Sequence, residues 1–403
     1  MKALVFHDIG DIRLQDVPEP KIENSTDAVV RLTSTAICGT DLHMVRGTMP
    51  GMVKGTILGH EGVGVVEETG PSVRNLIPGD RVVIPSTIGC GSCSYCRAGY
   101  FSQCDVANPN GPRAGTAFFG GPKSTGPFQG LQAEFARIPF ANVGPVKLPD
   151  SMTDDQAILL SDIFPTGYFG ADMAEIKPGD TVAVFGCGPV GLFAVLSCFL
   201  LDAGRVIAVD RHPVRLEKAK ELGAETINFD VDDPVGTVLS LTGGIGVDRV
   251  IDAVGVDAEP PKSGPAAKRA AERRERFEKE VAAVAPRARP KGDLWKPGQG
   301  PSQALDWALE CIAKAGTLSV IGVYPQSVEF FPWGKAMMMN LTLKAGNCPH
   351  RRYLRKLVHL VESGAVRPEQ IISQVKSLDA IVEAYKSFDT REPGWVKVEL
   401  ETA

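Results

Sequence analysis

Nine cysteines stand in this 403-residue chain, and four of them, Cys90, Cys93, Cys96 and Cys104, fall in one C-x2-C-x2-C-x7-C run. Thiolates at that spacing can surround one tetrahedral ion from a single loop, at roughly 2.3 Å from a zinc. With sulfur in all four positions no site is left for a substrate, so such a zinc is expected to be structural. An iron–sulfur cluster is the second reading; the longer last spacing and the absence of a proline after Cys104 weigh against it. Disulfides are the third. The odd cysteine total, and an N-terminus that reaches Asp8 before any export signal can form, weigh against an oxidising compartment. The expectation is a cytoplasmic protein with reduced thiols.

A second set of reactive side chains is dispersed. Cys38-Gly39-Thr40-Asp41-Leu42-His43 comes first, Gly59-His60-Glu61-Gly62 follows, and Ser161-Asp162 lies further on. Each piece alone has an ordinary explanation: a core thiol, a satisfied loop histidine, a helix-capping aspartate.

The third pattern is Gly186-Cys187-Gly188-Pro189-Val190-Gly191, which follows an apolar run and opens a helical one. Glycines there permit a tight turn and close approach of the backbone to a pyrophosphate, and the helix N-terminus supplies free N–H groups. Asp210, at the end of the next strand, can accept from both ribose hydroxyls, which a 2′-phosphate would prevent. NAD is therefore expected. Arg211 and Arg215 cut the other way, because a guanidinium can pair with a phosphate.

Two kinds of element must position these groups. Residues 28–32, 62–66 and 81–84 are short β-rich runs bounded by glycine and proline. From about residue 180 strand and helix alternate, with strands expected at 181–185, 205–209, 224–228, 247–254 and 317–321, and a charged helix at 213–222. That rhythm argues for a parallel sheet covered on both faces. Residues 257–301 break it: proline-rich ends flank a middle, 266–284, dense in Ala, Arg, Glu and Lys, which could form a helix. A lid over the cofactor is one reading of this insertion, with Phe277 or Trp295 on adenine and basic residues from Lys262 to Lys296 facing the pyrophosphate; an oligomer contact or plain loop is the other. The composition, 43% hydrophobic and 23% charged with net charge −5, offers no footprint for nucleic acid or an anionic membrane. The longest apolar run, 190–201, is too short to span a bilayer.

Taken together, Cys38, the Gly59-His60-Glu61-Gly62 segment with Gly64, the four-cysteine lobe and the glycine fingerprint resemble the zinc-dependent medium-chain dehydrogenases, the alcohol dehydrogenase family. The runs 38–47 and Ser161-Asp162 with Pro165-Thr166-Gly167-Tyr168 resemble its glutathione-independent formaldehyde dehydrogenase branch, although Phe169 stands where that branch often has histidine.

The resemblance implies an α/β fold: a GroES-like β-rich catalytic domain at 1–163 with a structural lobe at 90–104, a Rossmann doubly wound domain at 164–343 carrying the insertion 257–301, and a return to the first domain at 344–403. It makes Cys38, His60 and Asp162 ligands of a catalytic zinc and Glu61 a nearby carboxylate. Thr40 and His43 become a proton relay and Thr166 a residue packed on the nicotinamide. Val254, Gly322 and Val323 sit at strand ends where open α/β sheets bind ligands. Thr48, Met49, Phe118 and Phe119 are candidates for an apolar pocket. Two zinc ions per chain and NAD are implied, acting on a small alcohol or aldehyde in a homo-oligomer, dimer or tetramer. Rival readings are a zinc-free quinone reductase, a polyol or threonine dehydrogenase, a formaldehyde dismutase-like enzyme with tightly held NAD, and a non-catalytic zinc- or NAD-binding protein.

Overall fold

The computed structural model describes residues 1–111, 113–126 and 128–402. The chain divides into two compact units. The first comprises Met1–Pro165, Ala288–Lys296 and the stretch from Asn347; the second comprises Thr166–Arg287 and Pro297–Gly346.

The first unit is built on a seven-stranded, mostly antiparallel sheet. Its central strand, Ala28–Ile37, is buried along nearly its whole length, its polar Ser34 and Thr35 included, with strands paired on both edges. It pairs with Gly62–Thr69, Phe135–Ile138 and Val398–Glu401. Register then does the work of assembling a site. Thr35 faces Gly62, Val398 faces Ile37, and Gly62 faces Ile84, all antiparallel. Cys38 leaves the central strand at the end where His60 and Glu61 enter theirs, where Lys397 precedes the last strand, and where Ser86 follows the strand Arg81–Ile84. Residues hundreds apart in sequence meet because strand pairing leaves them nowhere else to go.

The second unit holds a six-stranded parallel sheet in the order Glu225–Asn228, Arg205–Asp210, Thr181–Phe185, Val247–Asp252, Ile312–Val320, Thr342–Ala345. The order reverses between Thr181–Phe185 and Val247–Asp252, which is the kind of place where open α/β sheets bind ligands at their carboxyl ends. Thr181–Phe185 and Arg205–Asp210 read as nearly continuous buried apolar runs, as a sheet covered on both faces requires, whereas the edge strands Glu225–Asn228 and Thr342–Ala345 are more polar and exposed. The fifth strand begins at Ile312, earlier than the expected 317. Lys314-Ala315-Gly316 looks like a turn in sequence but is an irregularity within the strand: pairing shifts between Val247 and Arg249, and Ala315 takes φ +60°. The fourth ends at Asp252 rather than 254, because its side chain turns back to bond the N–H groups of Val254 and Gly255.

The insertion does not behave as a lid of aromatic side chains. Its middle forms two helices, Ala266–Glu272 and Arg274–Val284, tied down by Arg273 to Asp306 and Glu310 and by Arg276 to Asp306. Phe277 is 3% exposed, with the Arg276 guanidinium over its ring at 5.5 Å. Residues 288–296 belong instead to the first unit, where Trp295 joins the core formed by Leu4, Phe6 and Tyr385. Its N–H donates to Asp389 Oδ2 at 2.6 Å, while Asp389 Oδ1 accepts from Arg46 Nε at 2.7 Å. Neither ring is free to stack on adenine, which corrects that expectation.

Candidate functional site

Two groups of metal-ligating atoms lie in the first unit, and in each the donor atoms fall within 4.8 Å of one another. The first is Cys90, Cys93, Cys96 and Cys104. Cys93 Sγ and Cys104 Sγ are 3.8 Å apart, too far for a disulfide, and all nine cysteines are unbridged. A tetrahedron around zinc with metal–ligand bonds of roughly 2.0–2.3 Å has edges of roughly 3.3–3.8 Å. The spacing fits an ion, not a bond. Backbone N–H groups of Ser92 and Cys93 point at Cys90 Sγ at 3.4 Å, Cys96 N at Cys93 Sγ at 3.4 Å, and Cys90 N and Ala107 N at Cys104 Sγ at 3.3 Å. Burial opposes ionisation of Cys90, but the Ser92 hydroxyl and these N–H donors bring it down to about 6. Burial pushes Cys96 and Cys104 up. Cys90 on one side and Cys96 and Cys104 on the other ionise together only if a cation is supplied, so the set suits a metal bound as thiolates.

The second group is Cys38, His60, Glu61 and Asp162, all buried. Asp162 Oδ2 lies 3.6 Å from Cys38 Sγ and 3.5 Å from His60 Nε2, again the edge length of a zinc tetrahedron. The supporting side chains fix each donor. His60 Nδ1 is 3.1 Å from Asp41 Oδ1, close enough for an ion pair though not aligned as a hydrogen bond, and Nε2 is the nitrogen that faces Asp162. Asp41 Oδ2 in turn accepts from the Cys38 N–H at 3.0 Å and from Gln132 at 3.3 Å, and Tyr385 donates to Gln132 at 2.7 Å. Asp162 Oδ1 accepts from the Ser86 hydroxyl at 2.9 Å and meets His350 Nε2 at 2.8 Å, so Oδ2 alone faces the other donors. Burial would raise the Asp162 pKa, but His350 and His60 hold it well below the usual carboxylate range. Burial also disfavours charge on His60, yet Asp41 and the Cys38 sulfur push it well above its ordinary value. A metal must therefore displace a proton from this ring.

Glu61 stands apart from that trio. Both its oxygens accept from Lys397 Nζ, at 2.7 and 2.6 Å, with neither side chain exposed. Burial opposes a charge on Lys397, but the Glu61 carboxylate raises its pKa above the ordinary value. Two anionic donors, Cys38 and Asp162, remain to neutralise a divalent ion, with His60 neutral. That leaves a tetrahedral ion one position short of filled.

Of the expected relay, His43 is buried with Nδ1 2.7 Å from the Thr48 hydroxyl, and Thr40 stands half-buried on the same helix, Gly39–Arg46. Phe118 presents its edge to the His60 ring at 6.2 Å, whereas Phe119 is packed into the core with Ile84 and Ile88.

In the second unit the expected cofactor residues gather at the carboxyl end of the sheet. Gly186 has φ +89°, and a Cβ there would meet Val254 at 2.5 Å; a Cβ on Gly191 would lie 1.8 Å from the Gly186 carbonyl. Only glycine fits either position. Gly188 and Pro189 open the helix Pro189–Leu200, whose first turn contains Val190. Val256 N donates to Val323 O at 3.0 Å, and a Cβ on Gly322 would meet Gly255 N at 2.2 Å, so the turns after the fourth and fifth strands lie side by side. Asp210 Oδ2 accepts from Cys187 N at 2.8 Å and Oδ1 from Arg211 N at 2.6 Å. Arg215 reaches the fingerprint: a Cβ on Gly188 would lie 3.9 Å from its Nη1. Thr166 stands on the helix Ile163–Met173, which packs closely on the fingerprint helix because a Cβ on Gly167 would meet Ala194 N at 2.6 Å. Arg211 alone turns away from this corner, to Asp230.

Residues 24–150 match the alcohol dehydrogenase GroES-like domain and residues 189–262 the zinc-binding dehydrogenase domain. A zinc-type alcohol dehydrogenase-like protein of Bacillus subtilis is 38% identical over 100% of both chains. This chain belongs to the zinc-dependent alcohol dehydrogenase family. The solved alcohol dehydrogenase of Thermus sp. ATN1 superposes on this family member with TM-score 0.80 at 33% identity, covering 100% of both chains. A glutathione-independent formaldehyde dehydrogenase of Pseudomonas aeruginosa is 32% identical over 97% of this alcohol dehydrogenase and 96% of its own length, less than the Bacillus protein, so that branch is not singled out.

Lys397, His350, Ser86 and Tyr324 carry no signal in the sequence of this alcohol dehydrogenase, and Asp41 shows only as a member of the 38–43 run with no role attached. Tyr324 donates to Asp252 Oδ2 at 2.7 Å, beside the glycine turns. A strand-end pairing argument could have found Ser86 and Lys397, had the register been known. His350 had no local signal at all.

Proposed function

We propose that this alcohol dehydrogenase interconverts a primary alcohol, or an aldehyde hydrate, and its carbonyl product, with NAD as hydride acceptor. The observation that carries the reading is the engagement of Glu61 by Lys397, which leaves Cys38, His60 and Asp162 as a three-donor set beside a closed four-cysteine set. Three protein ligands with one open position is the catalytic pattern; four sulfurs is the structural one. Zinc bound by the trio would supply Lewis acidity to a substrate oxygen, and nicotinamide the hydride chemistry.

The chain's own residues do the rest. Cys38, His60 and Asp162 hold the ion; Asp41 orients the imidazole, and Ser86 with His350 limits Asp162 to one oxygen. The substrate proton leaves through the Thr40 hydroxyl to His43, whose ring the Thr48 hydroxyl steadies. Gly186, Gly188, Pro189, Val190 and Gly191 cradle the pyrophosphate, Asp210 accepts from the ribose, Arg215 lies at the fingerprint mouth, and Thr166, Val254, Gly322 and Val323 border the nicotinamide end. Asp162 in place of a third softer ligand donates less electron density, so the ion should be the stronger Lewis acid.

The protein works as a homo-oligomer. Supporting this, Trp333, Met337 and Met338 are exposed at 69%, 81% and 83% on one short helix, and Thr342–Ala345 is an edge strand of the parallel sheet. Nine unbridged cysteines, five of them needed as thiolates, suit the reducing cytoplasm. Among the described residues no helix is long and apolar enough to cross a membrane. The test is a panel of primary alcohols, polyols and aldehydes assayed with NAD. Turnover of primary alcohols above polyols supports the reading; turnover of polyols alone contradicts the substrate class, and no turnover contradicts catalysis.

A further inference from the structure

Arg211 follows the ribose-binding Asp210 directly, where a cation would be expected to draw a 2′-phosphate and favour NADP. Its guanidinium is not offered there. Nη2 pairs with Asp230 Oδ2 at 2.5 Å, Nη1 reaches the Pro260 carbonyl at 3.4 Å, and the guanidinium lies over the Phe229 ring at 5.4 Å. The Arg211 side chain is only 9% exposed as a result.

Asp230 is itself fixed in place. Its N–H donates to Asn228 Oδ1 at 3.0 Å, its Oδ1 accepts from Lys262 N at 2.7 Å, and its carbonyl accepts from the Ser263 hydroxyl at 2.8 Å. Phe229 is anchored against Trp307, with ring centroids 5.1 Å apart. The start of the insertion and the turn after the third parallel strand thus share one acidic clasp, and the clasp closes on Arg211.

We propose that Asp230 is a specificity-determining residue: by holding Arg211 away from Asp210, it withholds one of the two guanidiniums of this corner from a 2′-phosphate, leaving only Arg215 beside the Asp210 carboxylate, and so selects NAD over NADP. This rests on the dinucleotide reading given above. Discrimination here comes from a cation withheld from the wrong cofactor, not from an extra contact to the right one. It also gives the first residues of the insertion a function that needs no lid.

The test is direct binding, with no substrate present. Purified zinc-loaded protein is titrated with NADH and with NADPH by calorimetry. The wild type is expected to bind NADH at least about tenfold more tightly than NADPH. Asp230→Asn releases Arg211 and raises NADPH affinity about tenfold, with NADH affinity held within about twofold, and the gain disappears in Asp230→Asn combined with Arg211→Met. Unchanged NADPH affinity in a folded Asp230→Asn protein overturns the proposal, as does a wild-type preference for NADPH. If Asp230→Asn does not fold, Arg211→Met alone decides. A sequestered Arg211 leaves NADPH affinity within about twofold of wild type, and a fall of more than about threefold shows that Arg211 already meets the phosphate. Wild-type binding of neither dinucleotide overturns the cofactor reading itself, whereas NADH binding with an inert Asp230→Asn overturns only the role of Asp230.

Discussion

Lys397 donates to both carboxylate oxygens of Glu61, and the two side chains are fully buried at one end of the sheet that carries Cys38 and His60. A third contact, from Nζ to the Ile37 carbonyl at 3.1 Å, ties the ammonium to the strand that ends at Cys38. Removing one partner leaves a buried charge uncompensated. Lys397→Met should cost roughly 3–5 kcal/mol of stability, read by denaturant unfolding. The double variant Lys397→Met with Glu61→Gln should recover much of that loss, because no lone charge remains. Equal instability of the single and double variants would show that the pair matters only for packing.

The four-cysteine lobe makes a different demand. Structural zinc binding is folding energy, and Cys96 and Cys104 share a core with Ile88 and Ala107 that the bound ion would hold in place. Cys93→Ser should lower the unfolding temperature and bind one zinc fewer, and a chelator should destabilise the wild type but not this variant. Metal analysis and thermal unfolding with and without chelator check it.

Glu399 gives a pH dependence with a definite sign. Burial, with Asp154 and Asp155 nearby, raises its pKa from the ordinary 4.5 to about 7, although the Ser34 hydroxyl donates to it at 2.7 Å. The native state therefore binds more protons than the unfolded one between these values. This contribution to stability is fully present below about 4.5 and is lost as the pH rises through about 7. Glu399→Gln should flatten the fall and leave the protein more stable than wild type at pH 8, by on the order of 2 kcal/mol. Parallel pH–unfolding profiles of the two proteins would remove the basis for this assignment.

Trp295 tests the correction to the insertion. Its ring fills the first unit's core, so Trp295→Ala should cost roughly 3–5 kcal/mol while leaving the affinity for NADH unchanged. A lid residue would show the reverse, weaker cofactor binding at little cost in stability. Unfolding and cofactor titration on the same sample separate the two.

What could be read from sequence follows from how local each signal is. The cysteine lobe and the glycine fingerprint are spacing rules within one loop, and both fall where the sequence puts them. Cys38, His60 and Asp162 came only through family resemblance, since antiparallel register brings Cys38 to His60 and no periodicity reports register. Lys397, His350 and Ser86 lay beyond either route: each is an ordinary residue until the chain closes around it. Arg211 misled because the sequence shows its charge and position but not Asp230, which claims it. Trp295 misled for a related reason, because its proline-rich surroundings carry no apolar periodicity although they thread into a core. The fifth parallel strand begins before 317 because its pairing continues past an irregularity at the left-handed Ala315, which no sequence pattern reports.

The central claim is that Cys38, His60 and Asp162 hold a catalytic zinc distinct from the one in the cysteine lobe. Metal analysis of Asp162→Ala beside the wild type tests it most directly. The account predicts two zinc ions per wild-type chain and one in Asp162→Ala, with the fold intact and alcohol oxidation abolished. Two zinc ions and undiminished turnover in Asp162→Ala would contradict it.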